Sequence, residues 1–344
     1  MAWKLIVETP QHVAYEDIDV GPPAPGQVRV RSVISGISHG TEMTSFLGTS
    51  PFVTRTFADR LFVPRRPGDP PFYPCRWLGY ENVGVVEAVG EGVAGYAVGD
   101  RIWSTANHQT HVLLTPGRSE MVKLTRTRDE DAVFLMLTAI AYTAVLDADV
   151  KLGDTVAVFG GGVVGQLAAQ LALLHGAGRV VLSEPLARRR ELAEAAAAVR
   201  TVDPSATPAA EAIRQANDGR PPDVLIECSG HVAGLRDAVR AAPVGGTVVA
   251  AGFYAGPASA LNLGEEFLHN RVTVLASMGV WDCPPRCPRW DRGRVLRASA
   301  GLLEDGRLSL KGLLTDRVPF AHAQRAYEMI RDEPEAHLKV ALTY

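Results

Sequence analysis

The run Phe159-Gly160-Gly161-Gly162-Val163-Val164-Gly165 constrains this chain more than any other stretch. Before it lies the unbroken apolar segment Thr155-Val156-Ala157-Val158-Phe159, which reads as a strand covered on both faces. After it, Val163 to His175 is rich in Ala, Leu and Gln and reads as a helix stopped by Gly176 and Gly178. The spacing G-x-G-x-x-G is weak by itself, because glycine-rich turns are common; in a strand-to-helix turn each glycine has a separate role. Gly160 permits the tight turn, Gly162 leaves the backbone bare for a pyrophosphate, and Gly165 lets the helix pack closely on the strand. The helix then presents unpaired N–H groups and its positive dipole end to the phosphates.

The residues that follow repeat the pattern. Strands are expected at 179–183, 223–227, 247–251 and 272–275, with a helix from Leu186 to Val199 and further helical stretches between them. Strands alternating with helices imply an α/β fold with a doubly wound parallel sheet. The second strand ends at Glu184, 19 positions beyond Gly165. A carboxylate there accepts hydrogen bonds from ribose hydroxyls and repels a 2′-phosphate, which favours NAD. Arg188, Arg189 and Arg190 keep NADP as the alternative.

Residues 1 to about 135 differ: short alternating segments such as Val28–Ser32 and Gly84–Gly90, punctuated by Gly and Pro, read as a β-rich domain. Residues 43–78, with prolines at 51, 64, 67, 70, 71 and 74, read as loop. Beyond about 280 the strand–helix rhythm stops; a helix is expected at 321–331 and a last strand at 338–342, packing back onto the first domain.

Charge excludes some partners. A net charge of −3 gives no electrostatic case for nucleic acid or an anionic membrane, and Arg60, Arg65, Arg66 and Arg76 read as a solvated loop. No run of about 18 apolar residues spans a membrane, and the N-terminus lacks a basic region followed by an apolar one. Cys75, Cys228, Cys283 and Cys287 form no tight CxxC pair, so reduced thiols in the cytoplasm are expected.

Together with the glycine loop, Ser35-Gly36-Ile37-Ser38, Gly79-Tyr80-Glu81, Val83-Gly84-Val85-Val86, Val98-Gly99-Asp100-Arg101, Gly153-Asp154 and Lys339-Val340 resemble the medium-chain dehydrogenase/reductase superfamily nearly end to end. The resemblance implies a β-rich, GroES-like catalytic domain from residues 1–136 and 281–344. It also implies an inserted Rossmann domain from residues 137–280 and a substrate cleft between the two. Cofactor contacts would come from Gly160, Gly162, Val163, Val164, Gly165, Glu184, Arg189, Ser229 and Gly252. A homodimer through the sheet edge near Val272–Leu275 is a further family expectation.

The metal pattern departs from the zinc members. Their first ligand, a cysteine after Gly-Ile, is Ser38 here, or His39 if the following Gly-Thr-Glu is aligned instead. The second, a histidine in Gly-His-Glu, is Tyr80, and the third falls at Leu135 or Met136. Zinc takes Cys, His or carboxylate in a tetrahedral set, so no zinc is expected. No cysteine lies between Arg101 and Lys123 to build a structural zinc lobe. The segment Tyr73-Pro74-Cys75-Arg76-Trp77-Leu78-Gly79-Tyr80, with Ser38 and Gly40-Thr41-Glu42, resembles the bacteriochlorophyllide-dehydrogenase-like branch.

Without zinc, hydride transfer to nicotinamide still needs a group to take or return the hydroxyl proton. Tyr80 or His39 is the expected acid/base, with Ser38 and Thr41 holding the substrate oxygen. Tyrosine ordinarily ionises near about 10 and needs help to act near neutrality, whereas histidine does not. Tyr80 as a wall filling the metal's volume stays open, as does a structural role for Glu81, which is also carried as a catalytic candidate. His108, in the stretch with His111 that replaces the zinc lobe, is expected at the surface, with a place at the cleft as the alternative; Trp103 and Trp281 are expected in core or pocket wall. Cys283 and Cys287 are not expected to hold a metal, for want of a second Cys/His pair.

The sequence thus points to an NAD-dependent oxidoreductase acting on CH–OH groups of a hydroxylated small molecule. The rivals are an NADPH-dependent reductase of activated C=C bonds or quinones, and a non-catalytic dinucleotide-binding protein.

Overall fold

The computed structural model describes residues 2–279 and 284–344. The chain divides into two compact units, Met1–Phe134 with Leu314–Tyr344, and Leu135–Leu313. Unit 1 begins with strands β1 (Ala2–Thr9), β2 (His12–Ile18) and β3 (Val28–Gly36), helix α1 (Thr41–Leu47), and the hairpin β4 (Arg55–Ala58) and β5 (Leu61–Pro64). Strands β6 (Asn82–Val89), β7 (Arg101–Ser104), β8 (His111–Leu114) and β9 (Met121–Leu124) and the short helix α2 (Asp129–Ala132) follow.

Unit 2 opens with helix α3 (Leu135–Asp147) and strand β10 (Thr155–Phe159). It continues through α4 (Val163–Leu174), β11 (Arg179–Ser183), α5 (Ala187–Ala196), β12 (Val199–Val202) and α6 (Ala209–Ala216). It ends with β13 (Val224–Glu227), α7 (Val232–Ala241), β14 (Thr247–Ala250), β15 (Thr273–Ala276) and α8 (Arg292–Glu304). The chain then returns to unit 1 as β16 (Leu314–Pro319), α9 (Ala323–Asp332) and β17 (Lys339–Thr343).

In unit 1 the main sheet runs β16-β17-β3-β6-β7-β9, with β8 also paired to β3. The alternation in β3 explains its place: Val28 and Val30 are buried, and Arg31 is exposed. One core gathers Val28, Val30, Val86, Ile102, Val112 and Leu114. A second joins both ends of the sequence, with Leu5, Val7, Ile37 and Phe46 packed against Tyr327, Ile330, Val340 and Leu342. That core anchors residues 314–344, and not the whole of 281–344, in unit 1. The boundary expected at 280/281 lies in residues 280–283, outside the described residues together with Trp281 and Cys283. Helix α8, beyond it, packs on α3 in unit 2.

Unit 2 holds a six-stranded parallel sheet of order β12-β11-β10-β13-β14-β15. This is the doubly wound arrangement, with the order reversing between β10 and β13. Ala157, Phe159, Val181, Leu225 and Val248 carry its core against Ile213, Leu235 and Val239 of the flanking helices.

Two expectations are corrected. The helix expected at 186–199 ends at Ala196, because three of the four residues Val199-Arg200-Thr201-Val202 are β-branched and extend the sheet beside β11. The stretch 43–78 is not loop throughout: it contains α1, closed by Gly48 in the left-handed region, and the β4–β5 hairpin. That hairpin turns at Asp59-Arg60, both at positive φ, without the Asn-Gly signal that would announce such a turn. Among the described residues no helix is long and apolar enough to cross a membrane.

Candidate functional site

In an open parallel sheet, ligands bind outside the carboxyl ends of the strands at the point where the strand order reverses. Here that point joins the ends of β10 and β13. Gly160 follows β10 with φ +95°, and a side chain there would meet the backbone of Ser229 at 2.8 Å. A Cβ on Gly165 would collide with the carbonyl oxygen of Gly160, so helix and strand are as close as glycine allows. Gly162 faces open space and caps α4 without a side-chain hydrogen bond. The first helical bond near it runs from the Gln166 N–H to the Gly162 carbonyl, so the N–H groups of Val163, Val164 and Gly165 have no intrahelical acceptor. A bare glycine beside orphan donors fits the diphosphate of a dinucleotide.

Glu184 is buried against this loop. Its Oε2 accepts from the Gly161 N–H at 2.6 Å and its Oε1 from the Leu186 N–H at 3.0 Å. Each carboxylate oxygen retains a lone pair for a ribose hydroxyl. Arg190 donates to the carbonyls of Glu184 and Pro185 at 2.7 Å and pairs with Asp203 at 3.1 Å, which commits its guanidinium to the loop. Arg189 offers its carbonyl to Gln166 Nε2 at 2.7 Å. Ser229 and Gly252 lie after β13 and β14, knotted by the fully buried Glu227. Its carboxylate accepts from the Ser229 N–H at 2.8 Å, the Ser229 hydroxyl and the Tyr254 hydroxyl, and its carbonyl accepts from Gly252. Glu227 and Tyr254 are not legible in the sequence, because their role depends on where the ends of β13 and β14 converge.

Unit 1 gathers the other candidates. The Tyr80 hydroxyl donates to Ser38 Oγ at 2.6 Å, and the Thr41 N–H reaches the same oxygen at 3.4 Å. Burial pushes the Tyr80 phenol well above its ordinary value, and the charges of Glu81 and Glu42 add to this. His39 is half-buried, and Thr41 is exposed at the start of α1.

Glu81 is fully buried and paired with Lys339, whose Nζ also donates to the Ile37 carbonyl at 3.0 Å. Among the described residues its Oε1 has no hydrogen-bond partner. Burial pushes the Glu81 carboxyl up to about 7, against the pull of Lys339. Gly36 makes room for the pair, since a Cβ there would sit 2.6 Å from Lys339 Cε.

His108 is corrected: it is fully buried, not at the surface. Its Nε2 lies 2.8 Å from Glu42 Oε2 and its Nδ1 2.6 Å from Ser35 Oγ, so a carboxylate and a hydroxyl repay the cost of burying the ring. Trp103 is fully buried, in core. Leu135 and Met136 are buried at the start of α3. The sequence reading also passed over Glu42 as a site residue, along with Tyr327 and Tyr344, which join this network from the C-terminal segment.

A family model described as zinc-binding dehydrogenase matches residues 163–286. D-guloside 3-dehydrogenase of Escherichia coli (strain K12) is 30% identical over 349 residues, covering 99% of each chain. The chain belongs to the medium-chain dehydrogenase/reductase superfamily. The 2-desacetyl-2-hydroxyethyl bacteriochlorophyllide A dehydrogenase of Cereibacter sphaeroides is 27% identical, over 99% of this chain and 97% of its own. A dehydrogenase from Sinorhizobium meliloti 1021, solved with NADP, is 25% identical with a TM-score of 0.76, covering 100% of this chain and 99% of its own. The chain is accordingly an oxidoreductase acting on CH–OH groups, with a nicotinamide cofactor.

Zinc does not fit the donors in unit 1. Ser38 and Tyr80 offer hydroxyls bonded to each other, Glu81 is taken by Lys339, and Glu42 by His108. Among the described residues no group of three or more His, Cys, Asp or Glu is placed to hold a metal.

Proposed function

We propose that this superfamily member is a zinc-independent, NAD(H)-dependent dehydrogenase of a secondary hydroxyl on a sugar, cyclitol or similar natural-product intermediate, or a reductase of the corresponding ketone. The carrying observation is the Tyr80–Ser38 hydroxyl pair at 2.6 Å; the family resemblance sets these two residues at the places of metal ligands in the zinc members. The name of the D-guloside 3-dehydrogenase relative favours a hydroxylated, glycoside-like substrate.

The bound nicotinamide supplies the hydride acceptor or donor. The protein must handle the accompanying proton. Tyr80, with its phenol pushed up, stays protonated and donates to Ser38. Because Ser38 Oγ accepts from Tyr80, the Ser38 hydroxyl proton is turned outward to steady the substrate oxygen, with Thr41 beside it. His39, whose residue type titrates near neutrality, takes the proton in oxidation and returns it in reduction. Glu81 keeps the loop closed through Lys339 and touches no reacting atom. Unit 2 holds the dinucleotide on Gly160, Gly162, Val163, Val164 and Gly165, with Glu184 on the ribose and Arg189, Ser229 and Gly252 lining the crevice. The engagement of Arg190 with backbone carbonyls and Asp203 supports NAD over NADP.

A homodimer would form through β15, which is an edge strand of the sheet among the described residues, with Thr273 and Val274 exposed. A cytoplasmic location is in keeping with free thiols at Cys75, Cys228 and Cys287.

The test is turnover of a panel of glycosides and polyols with NAD or NADP, followed by cofactor absorbance. His39→Ala and Tyr80→Phe are each expected to lower kcat at least about tenfold, roughly 1.4 kcal/mol of barrier. Unchanged turnover in both variants makes them scaffold residues. Stoichiometric zinc in the purified active protein, by elemental analysis, overturns the metal-free mechanism.

A further inference from the structure

The proposed chemistry leaves unused a buried acid–imidazole pair lying directly behind it. Glu42 and His108 are 2% and 0% exposed and 2.8 Å apart. Burial pushes the Glu42 carboxyl up, but His108, the Ser38 N–H and Lys339 together bring it below the ordinary carboxylate value. Every contact of the pair has a direction. Glu42 Oε1 accepts from the backbone N–H of Ser38 at 2.9 Å, and Oε2 accepts from the Tyr327 hydroxyl at 2.9 Å. Beyond the ring, Ser35 Oγ is 2.6 Å from His108 Nδ1 and 2.8 Å from the Tyr344 hydroxyl.

His108 also packs against the segment that leads into Tyr80. His108 donates its backbone N–H to the Leu78 carbonyl at 2.7 Å, and its imidazole occupies the space where a Cβ on Gly79 would be, 2.9 Å from His108 Cγ. Gly79, at φ +91°, is the residue before Tyr80. One buried pair therefore fixes the backbone at Ser38 through Glu42 and the backbone beside Tyr80 through His108.

We propose that Glu42 and His108 form a positioning dyad that sets the Ser38–Tyr80 hydroxyl geometry, with Tyr327 and Tyr344 locking it from the C-terminal segment. This rests on reading that hydroxyl pair as the seat of the substrate oxygen. Neither residue touches substrate; they act through the two backbones. Accepting only, the Glu42 carboxylate requires a proton on His108 Nε2, which fixes that nitrogen as a donor.

Two measurements test the dyad. In Glu42→Gln and in His108→Asn, kcat is expected to fall about tenfold, with the affinity for NADH unchanged. Independently of turnover, the ring resonance of Tyr80 in isotope-labelled protein, assigned by its loss in Tyr80→Phe, is expected to move in both variants. If the Tyr80 resonance stays in place in whichever variant folds, the dyad does not set the hydroxyl pair and the proposal falls. If wild-type protein turns over no alcohol at all, the proposed function fails, while the resonance still decides the dyad.

Discussion

Replacing Lys339 by Met is expected to cost the protein folding stability that grows above neutral pH, towards about 3–5 kcal/mol in alkaline solution. The reason is Glu81, which is fully buried, with one oxygen lacking a partner among the described residues and the other resting on Lys339. Without the ammonium, an uncompensated carboxylate is left in the core, and breaking such a pair costs more than the pair was worth. The pH dependence has a definite sign. The Glu81 carboxyl is raised from 4.5 to about 7 in the folded protein. A group raised on folding contributes stability that is full below its unfolded value and lost as the pH climbs through its folded value. Removing Lys339 takes away a charge that pulls the Glu81 value down, so the loss extends to higher pH. The urea midpoints of wild type and Lys339→Met should therefore converge below about 4.5 and separate above about 7. The double variant Lys339→Met/Glu81→Gln should regain most of the loss, because no charge is left to bury. A penalty that is equal at both ends of this range, or a double variant as weak as the single, would show that packing and not charge holds Lys339 in place.

The same residues show what could be read from sequence and what could not. The glycine loop was legible because its reasons are local. Gly160 needs a positive φ, Gly165 needs to lie against the Gly160 carbonyl, and both neighbours fall within the same few residues. The parallel sheet was legible because strands such as Thr155–Phe159 are apolar on both faces. Strand β12 was lost where a helix pattern ran straight into four residues whose pairing partner, β11, decides their state. The buried pairs were hidden for a stronger reason. Glu42 and His108 are 66 positions apart, Lys339 and Glu81 258, and Tyr327 and Glu42 285. No periodicity records such contacts, so an isolated histidine in a polar stretch reads as a surface residue until its carboxylate partner is known. Tyr80 and Ser38 came to notice only through the resemblance to enzymes with metal ligands at those places; that their hydroxyls meet at 2.6 Å is a property of the fold.

Two alanines in the glycine loop should separate what the loop does for the fold from what it does for the cofactor. In Gly165→Ala the new Cβ would collide with the Gly160 carbonyl oxygen, with Cys228 Cβ a further neighbour at 3.6 Å. The first is backbone and cannot swing away, so α4 must shift from β10. The expected cost is about 1–3 kcal/mol of stability, as for an overpacked core. The orphan N–H groups at the start of α4 then lose their aim, and NADH binding should weaken at least about 100-fold, or roughly 2.7 kcal/mol. Gly162→Ala is the opposite case. Nothing lies within 4 Å of the added carbon, and its φ of −67° is one that alanine adopts freely. Stability should be unchanged or slightly raised, because the unfolded chain loses freedom and the folded chain gains no clash. Binding should still fall, because the methyl group occupies the space the diphosphate needs beside the helix end. Fluorescence titration of NADH and urea midpoints, taken on both variants, give the contrast directly. If Gly162→Ala binds NADH as tightly as wild type, the diphosphate does not lie against Gly162, and the dinucleotide must enter this crevice in some other way.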